Sequence, residues 1–171
     1  MNKDKTHIMY GLLIGIILVI FSLVLITTGL AFNTKTQWVA YIQYIPILAG
    51  LIMNAMAYAK ANENYVTYGN VFWSCFRACM VIAIVSVTWC IIEINFMPEV
   101  KTKALQMTTE SLQKKNMPEE QIDQSLEYFK KFYAMIMVLG VVFGTLLVGA
   151  ICSAIAAAIP KKKGAKPFQM Q

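Results

Sequence analysis

Two charged residues stand inside an otherwise apolar stretch, Val71 to Phe96 (VFWSCFRACMVIAIVSVTWCIIEINF), and they are the first candidates for chemistry: Arg77 and Glu93. An ionisable side chain within a membrane helix is costly, which makes it a functional candidate by default. A helix turns about 100° and rises about 1.5 Å per residue, so Cys75, Cys79, Ala83, Ser86, Cys90 and Glu93 share one narrow stripe. Arg77 lies about 160° round the helix from Glu93 and roughly 24 Å along the axis. Small residues mark helix-facing surfaces in membranes, so Glu93 is expected to point into a bundle. Arg77 is expected to snorkel toward phosphate headgroups. The two cannot pair within one chain. Gln43, Tyr44, Tyr133 and Lys131 come at a comparable depth and are the groups that could partner Glu93.

The remaining chemistry-bearing residues are few. Cys75 and Cys79 sit one turn apart, but the single histidine, His7, is in the N-terminal tail and nothing completes a metal or redox set. The four cysteines are therefore read as small buried packing residues. Gln43 and Asn54 are the amides of a second apolar run, and a buried amide needs a partner, which for Asn54 is expected to be a hydrogen bond to another helix. Glu93, Asn54 and Gln43 together form the candidate intramembrane polar site. No phosphate-cradling glycine loop, catalytic triad or nucleic-acid pattern is present in the sequence. The expectation is a non-enzymatic protein with no cofactor, no metal and no nucleic-acid partner.

The elements that must position these residues follow from composition. Of 171 residues, 58% are hydrophobic and only 14% charged, and the apolar residues fall in four runs, about 8–30, 38–59, 71–96 and 132–159. A bilayer core roughly 30 Å thick demands about 20 such residues per helix. The first run exceeds the ~7–15 residues of a signal peptide's apolar region, so it is read as a retained anchor. In the second, Pro46 removes a hydrogen bond to the Ile42 carbonyl and is expected to kink the helix. Trp38, Tyr41 and Tyr44 crowd one end of that run, and Tyr58, Tyr65 and Tyr68 follow the other, as amphipathic rings do at headgroup level. Residues 97–131 read as a pair of short helices broken at Asn116-Met117-Pro118, with Pro98 and Pro118 each just inside a helix start. Ile122, Leu126, Phe129 and Tyr133 form an apolar stripe that runs into the last span and should lie on the membrane surface, the first short helix or a partner. The fold expected is an all-α polytopic membrane protein in one domain, four transmembrane helices with an extracytoplasmic helical pair between the third and fourth.

Charge placement orients it. The termini and the Lys60 loop share one side, holding Lys3, Lys5, Lys60, Arg77, Lys161, Lys162, Lys163 and Lys166 against Asp4 and Glu63. On the other side seven lysines are interleaved with seven acids, so the whole net charge of +6 lies on the terminal side. Positive residues near span ends stay cytoplasmic, which puts both termini in the cytoplasm, where anionic lipid attracts Arg77, Lys161, Lys162 and Lys163 as headgroup anchors. The last run carries two small-residue faces: Gly140 and Gly144 on one, Thr145, Gly149, Cys152, Ser153 and Ala156 on roughly the opposite one. One face can serve the bundle, and the other is then open to a second copy or another membrane protein.

Four short segments carry a resemblance to a known family. These are Val66-Thr67-Tyr68-Gly69-Asn70 with Phe72, Pro98, Asn116-Met117-Pro118-Glu119-Glu120-Gln121-Ile122, and Ala156-Ala157-Ala158-Ile159-Pro160-Lys161-Lys162. In these the chain resembles the small bacterial membrane proteins grouped as domain of unknown function 4199. It departs at Met97-Pro98, where the family often has Asp-Pro, and at Pro118, where the family has Ser. The resemblance implies a four-helix protein of the bacterial inner membrane, without established chemistry, encoded in some genomes near polyprenyl-phosphate glycosyltransferases. A glycosyltransferase of that kind is the partner it suggests. Two functions are open: an interaction or accessory subunit of a membrane complex, and a small oligomeric transporter or channel using Glu93 and Asn54.

Overall fold

The computed structural model describes residues 5–33, 36–115 and 117–164. Lys3, Asp4, Lys35, Asn116 and Lys166 lie outside the described residues. The helices are α1 (Thr6–Thr27), α2 (Tyr44–Ala61), α3 (Tyr68–Phe96), α4 (Pro98–Lys114) and α5 (Glu119–Ala158), with 3-10 segments at Leu30–Phe32 and Gln37–Gln43 between α1 and α2. Four segments are long and apolar enough to cross a membrane: α1, α2 with the residues from Trp38, α3 and α5.

The boundaries differ from the expected spans for local reasons. α1 stops at Thr27, short of residue 30. Thr27 and Thr28 turn their hydroxyls back to the Leu23 and Val24 carbonyls at 2.9 and 2.6 Å, a second bond on carbonyls of the last turn, Val24 already accepting the Thr28 amide at 3.0 Å. Gly29 then takes φ 74°, the left-handed stop that a residue without Cβ adopts freely. In the second span the expected kink at Pro46 is instead a change of helix type. α2 begins at Tyr44, so Pro46 sits in its first turn, where no amide hydrogen is needed, and the residues ahead wind as a 3-10 helix. α3 starts three residues early because the Thr67 hydroxyl caps it, accepting from the Asn70 amide at 3.3 Å.

The helical pair and the fourth span are not separate. α5 runs unbroken for 40 residues, about 60 Å, twice a bilayer core of roughly 30 Å, because no glycine or proline interrupts it from Glu119 to Leu139. α4 folds back along its first half, burying Val100, Ile122 and Tyr133. Of the three possible covers for the Ile122–Tyr133 stripe, the first short helix is the one that lies on it.

α3 is the hub, packed along α1 and α5, while α2 closes the bundle between those two. The core gathers at the end that carries the termini, where Ile14, Leu51, Val71, Cys75, Ala78, Ile82 and Ala156 are all at most 1% exposed. Glycines permit this close packing. A Cβ on Gly11 would stand 2.8 Å from the Ala78 carbonyl oxygen, and one on Gly149 would stand 2.7 Å from Cys79 Sγ. Two of the segments that carry the family resemblance also meet here. The Tyr68 hydroxyl donates to the Ala154 carbonyl at 3.0 Å, Lys162 Nζ lies 5.9 Å over the Tyr68 ring, and the Lys163 amide donates to Asn64 at 2.8 Å. Arg77, on this half of α3, is exposed.

Candidate functional site

At the α4 end the four apolar helices do not close on each other. They line a half-open cleft of about 490 Å³, with Leu18, Val19 and Ser22 from α1, Gln43, Tyr44 and Ile47 at the start of α2, Ser86, Trp89, Cys90 and Glu93 from α3, and Met137, Gly140, Gly144 and Val148 among the residues of α5. A volume between about 300 and 1,000 Å³, mostly apolar with a few convergent polar groups, is typical of small-ligand sites. Among the described residues Glu93 is the one charged residue in the lining.

Three side chains order the charged wall. The Ser22 hydroxyl donates to Glu93 Oε1 at 2.8 Å, and the Trp89 indole N–H donates to the Ser22 oxygen at 3.2 Å. Trp89 and Glu93 are one turn apart on α3, so Ser22 of α1 bridges both and the chain of donors has one direction: indole to hydroxyl to carboxylate. A carboxylate has room for about four hydrogen bonds. Among the described residues Oε1 has one side-chain donor and Oε2 has none.

Of the four groups expected to be able to partner Glu93, Gln43 and Tyr44 are beside it in the cleft and Tyr133 is within electrostatic reach, but none of them makes its hydrogen bond. That bond comes from Ser22. Tyr133 is buried against Phe129, 5.6 Å between ring centroids, with Lys101 5.6 Å over its face, and Lys131 lies 5.5 Å from the Phe132 ring. Ser22 was missed as a lone hydroxyl in an apolar run. A signal was available: Gly11, Gly15, Leu18 and Ser22 fall on one face of α1, and that face meets α3.

The three-residue polar site divides in two. Gln43 and Glu93 share the cleft, while Asn54 is fully buried in the core toward the termini. Its Nδ2 donates to Ser74 Oγ at 3.3 Å and Cys75 Sγ at 3.5 Å, so the expected interhelical bond is present. Cys75 is eighteen residues from Glu93, roughly 27 Å along α3. Asn54 Oδ1 is buried with no hydrogen-bond partner among the described residues. The cysteines pack in the same region: the Cys75 thiol donates to the Leu51 carbonyl, and Cys79 Sγ lies 3.5 Å from Ser153 Oγ.

The two small faces of α5 are used differently. Gly149 and Ser153 are buried against α3, whereas Gly140 and Gly144 form a lip of the cleft with nothing within 4 Å of where a Cβ would sit.

These features define the class: an all-α protein with four helices suited to crossing a membrane, of the multi-pass kind, with a polar cleft between them. The chain belongs to the DUF4199 family of proteins of unknown function, whose family model matches residues 9–162. No curated protein matches it, and no solved structure does.

Proposed function

We propose that this protein is a non-enzymatic interaction subunit of the bacterial inner membrane, with both termini cytoplasmic, in which the Gly140–Gly144 lip of α5 receives a membrane helix from a second copy or another membrane protein. One observation carries the reading. Gly11, Gly15, Gly50 and Gly149 each have the place of a Cβ already occupied by a neighbouring helix, whereas Gly140 and Gly144 do not. A glycine inside a helix costs roughly 1 kcal/mol relative to alanine. At the first four positions close helix contact offsets that cost within the chain. At the lip no internal contact does, and a glycine pair four apart is the surface against which membrane helices approach closely. α5 is also the least covered span, 11% of its apolar window being buried against 33% for α3.

The test is the mass of the protein complement in mild detergent and in nanodiscs. The wild type should be recovered with a second copy or a defined membrane partner, a polyprenyl-phosphate glycosyltransferase being the first to try, and Gly144→Leu should be recovered alone with its thermal stability retained. Recovery of the wild type as a lone monomer at all concentrations refutes the reading.

Transport is the second reading, favoured by Glu93 facing the cleft. A route from there past Asn54 must open the core at Ile14, Leu51 and Ile82, which are at most 1% exposed. Ion or solute flux that is unchanged by Glu93→Gln removes its support.

A further inference from the structure

We propose that the Glu93 cleft is a lipid site selective for a primary-ammonium headgroup, which lies against the Glu93 carboxylate while one acyl chain runs down the cleft toward Val148. The lipid and the partner helix of the interaction reading would share one cleft, since Gly140 and Gly144 line it together with Ser22, Trp89 and Glu93, but the lipid is selected at the α1–α3 wall and the helix at the glycine lip.

Charge complementarity points to the occupant. A carboxylate held in apolar surroundings is stable only with donors or a cation on it. Among the described residues a single neutral donor reaches it, the Ser22 hydroxyl, whose oxygen in turn accepts from Trp89. No lysine, arginine or histidine stands among the described residues that line the cleft. The site therefore presents a negative group, positioned by a two-bond relay, with its other oxygen uncommitted.

Depth and shape select the rest. Glu93 is three residues from the end of α3, about 4.5 Å along the axis, which is the level at which lipid headgroups meet the acyl region. Below it the cleft continues along α5 from Gly140 to Val148, about 12 Å, between apolar walls. It ends where Leu18 and Val148 pack onto the closed core. Gln43 and Tyr44 flank the charged wall as neutral donors for the uncharged or phosphate oxygens of a headgroup. A free amine without a tail would leave the apolar volume empty, and an anionic lipid would face the carboxylate. A quaternary ammonium carries charge but no N–H to donate.

Trp89 reports on the site directly, because it lines the cleft and the other two tryptophans, Trp38 and Trp73, are exposed elsewhere and can be changed to phenylalanine. The full chain is reconstituted in phosphatidylcholine vesicles that contain increasing fractions of brominated-chain phosphatidylethanolamine, phosphatidylcholine or phosphatidylglycerol, and Trp89 emission is read. A charge-assisted hydrogen bond in a partly wet cleft should let the ethanolamine lipid quench at a mole fraction roughly fivefold lower than the other two. Glu93→Gln, which keeps an acceptor for Ser22, should make the three lipids equal. Gly144→Leu should reduce quenching by all three by narrowing the cleft. Equal quenching by the three lipids in the wild type, or a preference that survives Glu93→Gln, overturns the proposal. So does emission that no lipid quenches, which is the outcome expected if a second copy fills the cleft. Native mass spectrometry of the protein from an equimolar lipid mixture gives a second reading independent of the tryptophan changes: retained ethanolamine lipid supports the site, and unselective retention refutes it.

Discussion

Changing Gly11 to alanine tests whether helix approach at the core is as close as the structure has it. A Cβ at Gly11 would lie 2.7 Å from Val81 Cβ, 2.8 Å from the Ala78 carbonyl oxygen and 3.0 Å from Val81 Cγ1. Carbon atoms rest about 3.5–4.0 Å apart, so α1 would have to move off α3 by up to about 1 Å. Two of the three obstructing atoms are fixed to the α3 backbone, so no rotamer change relieves the contact. Overpacking of this kind costs about 1–3 kcal/mol. Alanine also gains about 1 kcal/mol of helix propensity over glycine, which would mask part of the loss. Gly144→Ala is the control that removes the mask: it gains the same propensity and meets nothing within 4 Å. The difference between the two variants therefore isolates the clash, and Gly11→Ala should unfold more readily than Gly144→Ala by at least about fivefold in the equilibrium constant. The assay is reversible unfolding by sodium dodecyl sulfate in mixed micelles, followed by circular dichroism. Adding Val81→Ala to Gly11→Ala should restore only part of the stability, because the Ala78 carbonyl remains in place. Equal stability of the two single variants, or the reverse order, would refute the packing of α1 on α3.

The same unfolding assay should find Asn54→Leu within about 1 kcal/mol of the wild type, since interhelical polar bonds in membranes average about 0.6 kcal/mol and the substitution also removes the unpartnered buried Oδ1; a loss several times larger would show that the amide has a further partner. The four thiols are buried, so a polymer-linked maleimide should modify none of them in vesicles and all of them once detergent has unfolded the chain. Modification of Cys75 or Cys79 in the folded protein would contradict the closed core. With the native thiols silent, Lys161→Cys and Lys114→Cys should label from opposite faces of the membrane, Lys161→Cys from the cytoplasmic side, and labelling from one face would overturn the four-span topology.

Apolar run length by itself specified the all-α class and the four helices suited to a membrane, because a hydrocarbon layer sets a minimum length that soluble cores do not. Helical phase also separated the two faces of α5 and put Cys75, Cys79 and Cys90 of α3 inward, since the 100° turn is a property of the backbone and needs no partner. Helix ends were less legible. Thr67 and Gly29 act through local bonds and dihedrals, and the continuity of α5 came from an absence of breakers that the Pro118 turn overshadowed. Pairing between helices was the part that sequence could not supply. Glu93 meets Ser22, seventy-one positions away, because α1 and α3 cross at the Gly11 and Gly15 contacts and bring one lone hydroxyl to the right height. Asn54 and Glu93, alike as polar residues in apolar runs, were parted for the same reason: each lies inward on its own helix, but depth along the bundle is set by how the helices dock. Only the tertiary structure decided that the bundle closes tightly at one end and leaves a cleft at the other, since that depends on which glycines find a neighbour and which do not.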